Sequence, residues 1–172
     1  MRIVPLSEAN EPLLSPDLIW DGISGDIAIS PLSDPDNPGG LVSRDALKTA
    51  VLICLMTDIR VDPVELRDGD ENKGWPGDGF DLETGDVPMG SRLWQLRRSS
   101  LYEGIELDAQ DWARAALQTL IDQGVFVRFD VEAVRVPQAN RLTLIVTGFG
   151  RDRADPTYQD RFAVLWEQMD AV

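Results

Sequence analysis

Apolar residues recur at helical spacing in two stretches of the chain and alternate at strand spacing over its last third. Ala46, Leu47, Ala50, Val51, Cys54 and Leu55 follow i, i+3/i+4 steps, which predicts a helix over 44–57. Ser43 stands where an N-cap hydroxyl can accept an orphan N–H of the first turn. Val51 to Met56 is apolar nearly all round, so this helix is expected to be central. Trp112, Ala113, Ala116, Leu117, Leu120 and Ile121 form the stripe of a second helix over 109–123, capped by Asp108 and stopped by Gly124. Val125, Val127, Phe129, Val131 and Ala133 then alternate with Arg128, Asp130 and Glu132, and a phase shift near Val134 predicts a bulge. The turn Pro137-Gln138-Ala139-Asn140 leads to a strand over Leu142 to Phe149, and a third strand is expected over Phe162 to Trp166.

Nearer the start, Leu18-Ile19-Trp20 and Asp26-Ile27-Ala28-Ile29 flank Gly22 and Gly25, the pattern of a short hairpin. Pro31, Pro35, Pro38, Gly39 and Gly40 make 31–40 a loop, and 90–96 reads as a short helix or turn. The order predicts an α+β fold: a small antiparallel sheet of the C-terminal three strands plus the N-terminal hairpin, with two main helices packed on one face. Residues 1–16 read as an extended arm and 17–172 as one domain.

Composition narrows the function. With 172 residues and 43% hydrophobic content, the chain can bury a core without a disulfide or metal staple. Thirty acidic against sixteen basic residues give a net charge of −14, which repels phosphate backbones and anionic lipid, so no direct nucleic-acid or membrane contact is expected. The absence of histidine removes the commonest general base and metal ligand. Cys54 lies in an apolar run and reads as a buried small hydrophobe. No stretch approaches a membrane span and no signal peptide is visible, so a soluble protein made in a cytoplasm is expected.

Residues 61–89 interrupt the pattern with a long acidic, Gly-rich loop, and loops of that length are usually functional. Asp68, Asp70 and Asn72 hold positions 1, 3 and 5 of a calcium loop, but Lys73 and Gly79 stand where an EF-hand needs Gly and Glu. A calcium or small-ligand module on 62–86 is therefore the alternative reading rather than the first. Glu103, Glu106 and Asp108 cluster in sequence, which by itself does not place two carboxyls across a cleft. No cofactor, metal ligand set or catalytic group is assigned. Trp75 and Trp94, with arginines nearby, carry the residue types that dominate protein–protein contacts.

Several segments together resemble the gene-product-46 family of Mu-like phages, a baseplate wedge family. They are Leu47 to Arg60, Gly74-Trp75-Pro76-Gly77-Asp78, Gly90-Ser91-Arg92-Leu93-Trp94-Gln95-Leu96, Ile19-Trp20-Asp21 and Phe162 to Glu167. The family is similar to the gene-product-25-like wedge proteins, called lysozyme-like, a label that implies no activity. Thr57, Arg60 and Gly77 match features of that wider group. Its Glu-Pro-Arg element is missing here, where Asp122-Gln123-Gly124 stands and Arg128 follows. The resemblance implies a structural, non-enzymatic virion protein of a contractile tail, assembled in the host cytoplasm. It implies six copies around the tail axis, docked on larger wedge proteins and initiating or anchoring the sheath. The partner interface it implies centres on Arg60, Trp75, Gly77, Asp78, Arg92 and Trp94.

Overall fold

Helix α1 (Ala46–Met56) is capped by Asp45, two residues later than the Ser43 expected from sequence. The Asp45 carboxylate accepts from Lys48 N at 3.1 Å, while Asp45 N donates to both carboxylate oxygens of Asp17 at 3.0 and 3.1 Å. Asp17 is buried, so this contact ties the strand that follows it to the start of α1. The computed structural model describes residues 16–21, 24–43, 45–80, 82, 85–98, 102–139, 141–150 and 155–165, so the expected arm, apart from Pro16, and Trp166 lie outside the described residues.

Helix α2 (Ile105–Asp122) starts earlier than its predicted cap. Gly104 is the N-cap, and Asp108 lies within the first turn beside Glu106, where negative charge suits the N-terminal dipole. Gly124 ends it as expected, at φ 72. The inner face of α2 is Ile105, Ala109, Ala113, Ala116, Leu117 and Leu120. Three alanines on that face let the helix approach the sheet closely.

Strands β3 (Arg128–Val136), β4 (Arg141–Phe149) and β5 (Tyr158–Leu165) form an antiparallel sheet in the order β3-β4-β5. Leu142, Leu144 and Val146 of β4 are fully buried, with Val131 and Ala133 of β3 and Phe162 of β5 beside them on the same face. The bulge expected near Val134 is absent: Val134 pairs with Thr143 and the register runs unbroken to Val136 and Arg141. The apparent phase shift comes from apolar residues on the open face, where Val134 is 39% exposed. β5 is longer than the sequence suggested. The hairpin β1 (Leu18–Trp20) and β2 (Gly25–Ile27) forms a separate two-stranded sheet that sits on α1, with Leu18 N donating to Thr49 Oγ1 at 3.1 Å. The α+β class therefore holds, with the core where α1, α2 and the three-stranded sheet meet.

Cys54 is part of that core, and burial pushes its thiol from 9.0 up to about 11. Below pH 9 the thiol is neutral in both folded and unfolded chains. Between 9 and 11 the unfolded chain loses the proton first, so stability falls as pH rises, by about 3 kcal/mol across that window. Urea midpoints measured from pH 8 to 11 should fall less steeply in a Cys54→Ala variant than in the parent. Parallel slopes would show that the thiol is not buried as described.

Candidate functional site

The six residues expected at an interface converge on one feature, the path of the loop 61–89 over the end of α1. After Met56 the helix cannot continue, because Thr57 adopts an extended conformation at φ −78, ψ 130. The segment from Thr57 to Ile59 pairs in parallel with Ser91: Ser91 N donates to Thr57 O at 2.8 Å and Ile59 N to Ser91 O at 3.0 Å. Ser91 Oγ reaches back to Leu55 O at 2.5 Å, satisfying a carbonyl left open at the end of α1. Gly90 permits this contact. Its φ is +122, and a Cβ there would lie 2.5 Å from Thr57 O.

Around this pairing the loop is held by single side chains on backbone groups. Trp94 Nε1 donates to Ile59 O at 3.0 Å, and Arg60 Nε to Lys73 O at 3.1 Å. Asn72 meets Val61 twice, accepting from its N–H at 2.9 Å and donating to its carbonyl at 2.8 Å, as a paired strand would. Asp78 Oδ1 accepts from Met89 N at 3.2 Å and closes the last part of the loop. Arg92 grips both oxygens of Glu65, at 2.9 and 3.3 Å. Trp75 is 41% exposed and its indole lies over Gly77, where any side chain would collide with the ring.

Of the expected interface residues, Arg60, Asp78, Arg92 and Trp94 thus spend polar groups inside the chain, and Trp75 keeps a large exposed face. Asn72, read from the sequence only as a calcium-loop position, Ser91, read only as part of the segment 90–96, and Glu65 belong to the same construction. Their side-chain bonds follow no periodicity, so no sequence signal marked them. An Asn72→Ala variant loses both contacts to Val61 and leaves a half-buried N–H and carbonyl unpaired. It should cost about 1–3 kcal/mol in urea unfolding and expose the loop to protease. Unchanged proteolysis would show that the loop is held without it.

The alternative sites find less support. Of the calcium-loop positions, Asp70 accepts from Arg67 N and Asn72 is spent on Val61, while Asp62 at the start of the loop caps the turn at Val64. Among the described residues no three metal-ligating side chains converge. Asp108 accepts the hydroxyl of Tyr102. Burial and that hydrogen bond push Tyr102 up to about 12, against a smaller opposing effect of Arg67. Tyr158 is also raised, by burial first and then by Asp160 and Asp45. The shifted groups are all held toward their neutral forms.

Fold and site together define a small acidic α+β protein whose conspicuous side chains secure a long loop instead of converging in a cleft. Comparison with known proteins then makes the assignment specific. A family model described as phage protein GP46 matches residues 47–155, from α1 through β4 and past its end. The Mu-like prophage FluMu protein gp46 of Haemophilus influenzae is 34% identical over 127 residues, which is 74% of this chain and 80% of that protein. Baseplate protein gp46 of Escherichia phage Mu is 34% identical over 123 residues, 70% of this chain and 77% of that protein. The chain belongs to the GP46 family of phage proteins.

Proposed function

We propose that this chain is a structural, non-enzymatic component of a phage tail baseplate: a wedge subunit of a contractile tail. In this reading it docks on larger wedge proteins, initiates or anchors the sheath, and repeats six times around the tail axis. The observation that carries the reading is its 34% identity to the phage Mu baseplate protein over most of both chains. The continuous core among the described residues, from Leu18 to Phe162, supports treating 17–172 as one docking body.

The sheet has two edges, β3 and β5. β3 carries Arg128, Asp130 and Glu132 outward, and Val131 O already accepts from Arg114 at 3.0 Å. Charged, occupied edges resist further pairing. β5 bears Asp160 and Arg161 as well, so charge does not tell the two edges apart, and backbone pairing to a sheath subunit falls to the sheet or to the arm. The partner face is the loop that Arg60, Asp78, Arg92 and Trp94 hold in place, with Trp75 exposed over Gly77.

A tagged chain, gold-labelled on purified virions, should mark the distal end of the tail. Label on the head or absent from virions would end the baseplate reading. Within it, Arg92 is a clean probe, because its ion pair with Glu65 is 41% and 37% exposed and stabilises by about 1 kcal/mol at most. Arg92→Ala and Trp75→Ala chains should fold, by circular dichroism and a melt, yet enter virions poorly. Loss of the fold would assign these residues to internal support alone.

A further inference from the structure

Four of the six candidate side chains are occupied in holding the loop, so apart from Trp75 the apolar surface that the loop presents consists of other residues. Val64 is 85% exposed, Phe80 89% and Val87 67%. Phe80 and Val87 lie two residues inside either end of the segment closed by the Asp78–Met89 bond, and Val64 precedes the Glu65 that Arg92 holds. A phenylalanine this exposed on a tied-down turn contributes nothing to the chain's own core, and such groups mark contact sites. The stretch 61–89 also carries nine carboxylates against Arg67 and Lys73, a net of −7 and half of the charge of the whole chain. That field repels a second copy of this acidic chain and repels nucleic acid, and it attracts a basic partner.

We propose that the secured loop is a docking surface for a basic, lysine-containing segment of a neighbouring baseplate protein. This rests on the baseplate reading. Val64, Phe80 and Val87 take the apolar side chains of that segment and the surrounding carboxylates take its cations. The apolar contacts supply affinity, while the charges set register and exclude acidic partners. Arg60, Asp78, Arg92 and Trp94 act as positioning residues that keep the surface in shape.

The test uses the phage that encodes this chain, deleted for the gene and complemented with tagged full-length variants. Purified tails are immunoblotted for the chain, and wild-type tails are treated with a carbodiimide, which joins a carboxylate to a lysine only in direct contact. A Phe80→Ser/Val87→Ser chain should be at least tenfold depleted from tails. A Leu32→Ser control, altered at an aliphatic residue 86% exposed outside the loop, should enter normally. Cross-links should join loop carboxylates to lysines of a different tail protein. Equal incorporation of the loop variant, equal depletion of the control, or cross-links absent or confined to copies of this chain would each overturn the proposal while leaving the baseplate reading intact. Absence of the wild-type chain from tails would overturn both.

Discussion

A Gly90→Ala chain should lose about 3–5 kcal/mol of stability, a large part of what a domain this size has. Two costs add. The backbone at φ +122 is strained for any residue with a Cβ, and the new methyl would sit 2.5 Å from Thr57 O and 3.0 Å from Ile59 N. Neither contact is with a flexible side chain that could move aside. Relief requires the chain at 90 to retreat from 57–59, which breaks the bonds of Ser91 with Thr57 and Ile59 and strains the Ser91 hydroxyl bond to Leu55 O. Urea unfolding followed by circular dichroism measures the loss, and a drop below about 1 kcal/mol would mean that the parallel pairing is not made. The variant should also be cut by protease within 61–89 before the rest of the chain, because the same pairing fixes where the loop begins and ends.

Leu144→Ala should cost about 4 kcal/mol. Leu144 is fully buried on the central strand, between Ala133 on β3 and Phe162 on β5. Truncation removes its transfer energy and leaves a cavity bordered by paired strands, which cannot close without breaking ladder hydrogen bonds. Its neighbour Ala133 is too small to swing in. Leu32→Ala, at a side chain 86% exposed, should change stability by no more than about 0.5 kcal/mol. A loss at Leu144 near that of Leu32 would show that the core does not lie between α2 and the sheet.

Both predictions concern features that differ in how far the sequence displays them. The row of Leu142, Leu144 and Val146 announces a buried strand face by alternation alone, and the stripe from Ala113 to Leu120 announces the helix that covers it. End effects were less visible. The sequence placed caps at Ser43 and Asp108, whereas the structure uses Asp45 and Gly104, because Asp17, just before β1 and 28 positions away, holds Asp45 and because acids in a first turn need not be caps. The expected bulge at Val134 failed for a related reason: apolar residues on an open sheet face break the hydrophobic alternation without breaking the register.

By itself the sequence determined the α+β class, the two helices, the three C-terminal strands, a net charge of −14, and the resemblance that the family comparisons bear out. These depend on periodicity, composition and local motifs, which are properties of neighbouring positions. Only the tertiary structure decided that the hairpin forms its own sheet on α1, and that Arg60, Asp78, Arg92 and Trp94 are engaged by backbone and side-chain partners within the chain. The same structure decided that Phe80, Val64 and Val87 are what the loop exposes. The contacts that hold the loop are isolated side-chain bonds between residues 11 to 35 positions apart, such as Val61 with Asn72 and Ile59 with Trp94, and isolated long-range bonds leave no repeating trace along the chain.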